Sequence, residues 1–205
     1  MKFLDFKAHF EPFVVFSTSD IYKWNQRFDT RRLVEWQEKG YIQKVINRWY
    51  VFSRSITQEE LMLIANRVYS PSYVSMEWAL SYYGLIPEGV YTVTGVSSRK
   101  TNVFHTPLGT FSYKHLKREL FFGYRLIKVR EQTYKIAEPE KLILDFLYLN
   151  PRLNTNEDLE GLRLNRETLS EIVSHDRLMK YVKLFENKAL ERRLHLLTEF
   201  LVHHA

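Results

Sequence analysis

The sequence predicts an α+β protein of two domains, and three observations support this prediction. Segments with apolar residues at helical spacing occur together with segments in which β-branched and aromatic residues alternate with polar ones. Capping residues, glycines and prolines separate these segments. The 205 residues are 45% hydrophobic, which is enough for a substantial core. We place the domain border within residues 53–57, so the predicted domains are residues 1–55 and 56–205.

The first domain is predicted to contain two helices. The stretch "STSDIYKWNQRF" has capping residues at positions 17–20 and indicates a short helix. After a brief turn, Asp29 can cap a second helix of about ten residues, which Gly40 ends. The apolar face of this second helix consists of Leu33, Val34 and Trp36.

A β-hairpin is predicted after these helices. The stretch "YIQKVINRWYVF" reads as two short strands around a turn near Asn47 and Arg48, and the helices must support it. The order helix, turn, helix, hairpin indicates a winged helix-turn-helix. The pattern "RRLVEWQEKGYI" is similar to many such domains, with a basic helix start, two apolar positions three apart, and Lys-Gly before the wing.

A DNA-binding role follows from this prediction. The predicted DNA-binding residues are Thr30, Arg31, Arg32, Lys39, Lys44 and Arg48. The first three begin the second helix, the part that reads bases in helix-turn-helix proteins, and the last two would hold phosphates from the wing. A winged helix used only for protein contacts is the alternative, and Glu35 and Glu38 favour it because they would repel phosphates.

Positive charge is concentrated in two segments. Residues 1–55 carry ten Lys/Arg against six Asp/Glu, and residues 99–128 carry seven against one. Such segments attract polyanions or acidic protein faces, although a merely solvated basic surface is the alternative.

The second domain is predicted to open with two helices. Thr57 and Glu60 have the spacing of a capping box, and Pro71 ends the helix that they start. Ser75 can cap the next helix and Gly84 can end it, so residues 70–88 form a loop, a helix and an exit. The expected core residues of this stretch are Trp78, Ala79, Tyr82 and Tyr83.

A sheet and a buried helix are predicted next. Residues 90–116 read as strands with a turn at 107–109, and a further strand pair lies within 121–137. Pro139 lies in the first turn of the following helix. We interpret Glu140 as a charge at the helix start and Asp145 as the partner of a nearby cation. The buried positions of this helix are Leu142, Ile143, Phe146, Leu147 and Leu149.

From about residue 151 the chain reads as helices. Possible caps are Asn165, Asp176 and Asn187. The last helix carries an apolar stripe that we expect to pack on the central sheet rather than to mediate oligomerisation. The stripe consists of Leu190, Leu194, Leu197 and Leu201.

Several motifs together resemble the AbiEi family of antitoxins from AbiE abortive-infection (type IV toxin–antitoxin) systems. They are "PSYVSMEWALSYYGLIPE", "VSSRKT", "TPLGTFSYKHL", "FFGYR" and "AEPEKLILDFLYL", in this order over about residues 57–150. The resemblance implies a winged-helix domain that binds the promoter DNA of its own operon. It also implies a mixed α/β antitoxin domain, with a mostly antiparallel sheet and C-terminal helices, that neutralises a nucleotidyltransferase-like toxin.

The resemblance implies no catalytic residues, only basic and loop-borne positions within the shared motifs. Those positions are Ser98, Arg99, Lys100, Thr101, Lys114 and His115, and together with the adjoining Lys117 and Arg118 they form the expected antitoxin surface. Contact with the toxin, contact with nucleic acid and a sheet edge protected by lysines all stay open. A DNA-binding regulator that has no toxin, with a second domain for dimerisation or another partner, is the alternative function.

Enzyme and metal motifs are missing from the sequence. His105 and His115 are ten apart, and His203 and His204 lie next to the C-terminal residue Ala205. No zinc spacing, phosphate loop or G-x-S-x-G occurs. We therefore expect no enzyme, cofactor or metal.

No stretch approaches the roughly 18 apolar residues of a membrane span, and "MKFLDFKAHFEPF" is charged where a signal peptide is apolar. We expect a cytoplasmic protein without a membrane partner.

Overall fold

The computed structural model describes residues 2–203, and His204 lies outside them. The fold is α+β, as the sequence predicts, with a three-stranded sheet near the N-terminus and a six-stranded sheet in the middle of the chain. No helix of this part of the chain is long and apolar enough to cross a membrane.

The N-terminal unit has the element order α-β-α-α-β-β. Its elements are α1 (Phe3–Phe10), β1 (Phe16–Ser17), α2 (Thr18–Trp24), α3 (Arg31–Glu38), β2 (Ile42–Ile46) and β3 (Trp49–Phe52). The strands form an antiparallel sheet in the order β1-β3-β2. The two predicted helices and the hairpin are confirmed, including the turn at Asn47 and Arg48, but α3 has eight residues rather than about ten. Helix α1 and strand β1 were not predicted from the sequence.

An aromatic core holds this unit together. Phe6 of α1 is fully buried, and its ring centroid lies 4.7 Å from those of both Phe10 and Trp36. Phe3, Phe6 and Phe10 have helical spacing, so α1 presents one aromatic face to α3 and the sheet. The packing of Trp36 against these rings therefore holds α3 in place.

The three-stranded sheet is buried on both faces. Tyr50 and Phe52 belong to the aromatic cluster under α1 and α3. Val45 and Val51 belong instead to a larger buried cluster that continues into the second half of the chain. Because Tyr50, Val51 and Phe52 alternate along β3, opposite faces of one short sheet contact two different sets of residues. The domain border at 53–57 stays a prediction, and the larger cluster contains residues from both sides of it.

A buried carboxylate joins the chain segments around this border. Glu60 accepts hydrogen bonds from Arg54 at 2.7 and 2.8 Å and forms an ion pair with Arg130 at 2.9 Å. The predicted capping box is confirmed, since Thr57 Oγ1 accepts from the Glu60 amide and Glu60 accepts from the Thr57 amide. The Arg130 side chain also donates to the Glu11 carbonyl oxygen, so Glu60 indirectly ties the N-terminal unit to the larger sheet.

The second unit is built around a mixed sheet. Its elements are α4 (Gln58–Val68), β4 (Ser72–Val74), α5 (Met76–Tyr82), β5 (Val93–Ser97), β6 (Asn102–Thr106), β7 (Gly109–His115), β8 (Tyr124–Val129), β9 (Gln132–Ala137) and α6 (Pro139–Leu149). The strand order is β6-β7-β5-β4-β9-β8. The pairs β4/β5, β6/β7 and β8/β9 are antiparallel, whereas β5/β7 and β4/β9 are parallel. The expected mostly antiparallel sheet is therefore confirmed.

The structure corrects the prediction for residues 70–88. Strand β4 lies at the centre of the sheet, where the sequence predicted a loop. The prediction missed this strand because its three residues are all buried and show no alternation of polar and apolar residues. Ser75 precedes α5 without capping it through its side chain, and its hydroxyl donates to Asp145 instead. Tyr82, a predicted core residue, is 37% exposed, while Trp78 is buried as expected.

The C-terminal helices cover one side of the second unit. They are α7 (Asn156–Glu160), α8 (Arg166–Ile172), α9 (His175–Lys183) and α10 (Lys188–His203). Asn165 caps α8 as predicted, but Ser174 rather than Asp176 caps α9. Leu190, Leu194 and Leu197 of the stripe are buried within this protein, as expected, and Leu201 is half-buried. Helix α10 packs on α6 and α7 rather than on the sheet.

Candidate functional site

The first candidate site is the start of α3, where the predicted base-reading residues lie. Asp29 Oδ1 accepts a hydrogen bond from the Arg31 amide at 3.0 Å and turns the chain into the helix. Thr30 takes the N-cap position without a side-chain hydrogen bond. Asp29 therefore lies one position before the N-cap. Thr30 and Arg31 are exposed, and Arg32 is half-buried.

Two of the predicted DNA-binding cations already have carboxylate partners. Arg31 donates to Asp29 through Nε at 3.0 Å and Nη2 at 2.8 Å, although the Arg31 side chain is 91% exposed. This hydrogen bonding lowers the pKa of the Asp29 carboxyl. At the other end of α3, Lys39 Nζ lies 2.6 Å from Glu35 Oε1 and lowers the pKa of Glu35 in the same way. A polyanion must therefore displace Asp29 from Arg31 and Glu35 from Lys39 before it can bind these cations.

The remaining predicted cations lie on the hairpin. Lys44 and Arg48 are both exposed. Arg48 occupies the turn in a left-handed backbone conformation with φ +70°, and its carbonyl oxygen accepts from the Thr18 amide at 3.0 Å. The tip of the hairpin therefore rests on the start of α2 and does not project freely. Lys44 lies next to a register shift between β2 and β3.

Two further cations of this unit were not predicted from the sequence. Lys23 lies in the last turn of α2 and Arg27 follows it in the connection to α3, and both side chains are exposed. The sequence feature that could have pointed to these two residues is their place in the basic segment 1–55.

The second candidate site forms at one end of the larger sheet. Strands β5 and β7 run parallel, with Ser97 opposite His115, so their C-terminal ends lie side by side. The His115 amide donates to Thr101 Oγ1 at 3.1 Å, and His115 Nδ1 lies 2.8 Å from the Arg99 carbonyl oxygen. The structure thus brings together two segments that the sequence predicted separately. We name this site the basic edge, defined as Arg99, Lys100, His115, Lys117 and Arg118.

The loop of the basic edge is held rigidly. Tyr69 donates its hydroxyl to the Lys100 carbonyl oxygen at 2.6 Å, and the Arg99 guanidinium lies 4.5 Å from the centre of the Tyr69 ring. Ser97 Oγ accepts from the Arg99 amide at 3.1 Å. Lys100 is exposed on this loop, and Lys117 and Arg118 are exposed on the segment that follows β7. The loop therefore presents cations without first having to become ordered.

Two of the predicted surface residues are half-buried. Lys114 is half-buried, and its Nζ donates to Asn150 Oδ1 at the end of α6 at 3.0 Å. Its side chain points to that helix end because residues alternate between the two faces of a strand. Ser98 is half-buried, and the Thr101 hydroxyl is engaged by the His115 amide. We therefore assign Lys114 and Ser98 to support of the edge, whereas Thr101 is exposed and also holds the His115 backbone.

A third group of charged residues lies in the core. Lys141 and Asp145 form an ion pair in which both side chains are fully buried, so the predicted cation near Asp145 is its neighbour one turn earlier. Tyr73 donates to Asp145 Oδ2 at 2.7 Å and accepts from Lys141 Nζ at 2.8 Å. Burial raises the pKa of Asp145 and lowers that of Lys141. Because solvent has no access to this pair, its role is structural.

Glu140 is also more than a charge at the helix start. It is buried, and its Oε1 accepts from the Ser174 amide at 2.8 Å, which ties α6 to the start of α9.

Within residues 2–203 no three His, Asp or Glu side chains group as metal ligands would. Sequence comparisons add nothing to this geometry: no protein-family model matches the chain. A search of curated proteins likewise finds no match.

Proposed function

We propose that this protein is an antitoxin and an autoregulatory transcriptional repressor, whose residues 1–55 act as a winged helix-turn-helix that binds operator DNA of its own operon. The observation that carries the proposal is the combination of the element order α-β-α-α-β-β with the exposed Arg31 at the start of α3 and the exposed Lys44 and Arg48 on the hairpin. In this arrangement α3 enters the major groove, and its first residues reach base edges.

Binding to DNA uses cations that are already in place or released by exchange. Arg31 leaves Asp29 for a phosphate or a guanine edge, to which a guanidinium can bind through two hydrogen bonds. Lys44 and Arg48 bind backbone phosphates from the hairpin, and Lys23 and Arg27 add charge next to α3. The bound counterions that such contacts release make the affinity depend on salt.

The second unit, in this proposal, counteracts a nucleotidyltransferase-like toxin. The resemblance of residues 57–150 to the AbiEi antitoxins supports this role, and the basic edge offers a preformed surface for an acidic face of the toxin. The proposal names no catalytic residue for this unit.

The DNA-binding part is tested by titrating the DNA upstream of this gene across a salt series. Arg31→Ala/Arg32→Ala should abolish specific binding, whereas the control Arg152→Ala/Lys180→Ala removes the same charge from exposed positions elsewhere and should not. The affinity of the wild-type protein should fall as the salt concentration rises. Weak and equal binding of all three proteins to any DNA would refute operator recognition.

The antitoxin part is tested by co-expressing the chain with a nucleotidyltransferase encoded beside it. We expect the wild type to restore growth and Lys117→Glu/Arg118→Glu to fail while it still binds operator DNA. Rescue by the double variant would show that the basic edge is not the antitoxin surface. Failure of the wild type to rescue growth would leave a DNA-binding regulator without a toxin.

A further inference from the structure

A cavity of about 320 Å³ lies between the N-terminal unit and the larger sheet. Its walls come from α1, α2, β1 and β3 on one side and from α4 and the β8–β9 turn on the other. Small-molecule sites are typically pockets of this size or larger and occur preferentially at such junctions.

One side of the cavity is aromatic. Phe13, Phe16 and Trp49 line the wall that belongs to the N-terminal unit, and Phe13 and Trp49 are half-buried there. Aromatic rings favour offset-stacked or edge-to-face contact with another ring. This wall therefore suits a ligand that carries an aromatic group.

The opposite side contains a cation that lacks a protein partner. The Arg67 side chain lines the cavity, and its Nε is buried without a hydrogen-bond acceptor. Among the residues that the structure describes, no carboxylate forms an ion pair with Arg67. A guanidinium in this state binds a carboxylate well, because its planar fork donates two parallel hydrogen bonds.

Acidic groups line the same cavity. Glu131 lies in the β8–β9 turn and, within residues 2–203, forms no ion pair. Asp20 uses its Oδ2 to accept from Ser17 at 2.7 and 2.9 Å, which leaves Oδ1 available. The cavity thus offers an unpaired guanidinium and an unpaired carboxylate beside an aromatic wall. A phosphorylated ligand would bring further negative charge towards Asp20 and Glu131, which disfavours nucleotides.

We propose that this cavity binds a free aromatic amino acid. The ligand carboxylate binds Arg67, its ammonium group faces Glu131 and Asp20, and its ring packs against Phe13 and Trp49. The zwitterion matches both unpaired charges at once, which neither an aromatic amine nor an aromatic acid does. This inference is independent of DNA binding and of any toxin, so the chain alone is the test sample.

Isothermal titration of the full chain with L-tryptophan, L-tyrosine and L-phenylalanine tests the proposal. We expect saturable binding of at least one of them. Its matched analogues, for example tryptamine without the carboxylate and indole-3-propionate without the ammonium group, should bind about tenfold more weakly or worse. No binding of any of the three amino acids at millimolar concentration would overturn the proposal, as would equal binding of both analogues.

Two variants locate the site. Arg67→Met and Glu131→Gln should each weaken binding by about tenfold, whereas Arg152→Met, at an exposed position away from the cavity, should not. Thermal unfolding checks that each variant is folded. If Arg67→Met does not fold, the binding affinity of Glu131→Gln alone decides.

NMR spectra of the wild type locate the site independently. On addition of the ligand, amide and indole NMR shifts should change around Trp49 and Gln132. Shifts confined to the separate apolar cavity lined by Leu178 and Leu194 would contradict the assignment.

Discussion

The Tyr73 hydroxyl lies 2.7 Å from Oδ2 of Asp145 and joins the central strand β4 to helix α6 through a buried hydrogen bond. The two residues are 72 positions apart in the chain. Lys141 completes the group by pairing with Asp145 and donating to Tyr73 at 2.8 Å, and Ser75 donates to the same carboxylate at 3.2 Å. Every charge in this group has a partner, so the core tolerates it.

Removing one charge of the buried pair should be strongly destabilising. Lys141→Met leaves Asp145 buried without its cation, and we expect the free energy of unfolding to fall by about 3–5 kcal/mol. The double variant Lys141→Met/Asp145→Leu leaves no unpaired charge and should recover much of that loss. Urea unfolding monitored by circular dichroism measures both effects. A single variant as stable as the wild type would show that the pair carries no structural role.

A close approach of two backbones makes Gly95 irreplaceable. A Cβ atom at this position would lie 2.6 Å from the Tyr73 carbonyl oxygen on the neighbouring strand. We expect Gly95→Ala to lower the free energy of unfolding by roughly 2 kcal/mol or more, because two paired central strands must separate to relieve the clash. The control is Gly89→Ala, where a Cβ meets no atom within 4 Å. Equal urea midpoints for the two variants would contradict this interpretation.

Glu60 should make stability depend on pH in the acidic range. Burial opposes its ionisation, but hydrogen bonds from Arg54 and Thr57 and the charges of Arg54 and Arg130 outweigh burial and lower its pKa below the ordinary value of 4.5. A lowered pKa in the folded state stabilises the protein above 4.5, and this contribution is lost as the pH falls through the folded-state pKa.

The test compares urea unfolding of the wild type and Glu60→Gln at neutral pH and below pH 4.5. We expect Glu60→Gln to lose about 2 kcal/mol at neutral pH, with a smaller difference between the two proteins at acidic pH. Glu59→Gln, at the exposed neighbouring position, is the control and should behave as the wild type. A constant difference at every pH would show that the loss does not come from the charge of Glu60.

Asp29 should restrain the DNA affinity of α3. Because Asp29 binds the Arg31 guanidinium, Asp29→Asn removes a competing charge and frees Arg31 for phosphate. If the proposed operator binding holds, the affinity should rise by roughly threefold or more at low salt, with a smaller gain at high salt. Asp176→Asn makes the same charge change at an exposed position on α9 and should leave the affinity unchanged. Weaker binding by Asp29→Asn would mean that the N-terminal turn matters more than the freed arginine.

Local signals were sufficient for many elements. The capping box at Thr57 and Glu60, the left-handed Gly40 after α3, and Pro139 at the first position of α6 each act within a few residues, so the sequence alone determined those helix ends. The hairpin turn at Asn47 and Arg48 belongs to the same class. The α+β class and the basic character of the two candidate surfaces also follow from the order and charge of the residues along the chain.

Long-range contacts decided the rest. Strand β4 exists because β5 and β9 pair with it from both sides, and its three buried residues carry no pattern of their own. The basic edge forms because the parallel pairing of β5 and β7 aligns Ser97 with His115. Lys114 does not belong to that surface because its side chain donates a hydrogen bond to Asn150 at the end of α6. Sequence reports charge and propensity along the chain, whereas the partner of each charged group depends on which segments the tertiary fold brings within hydrogen-bonding distance.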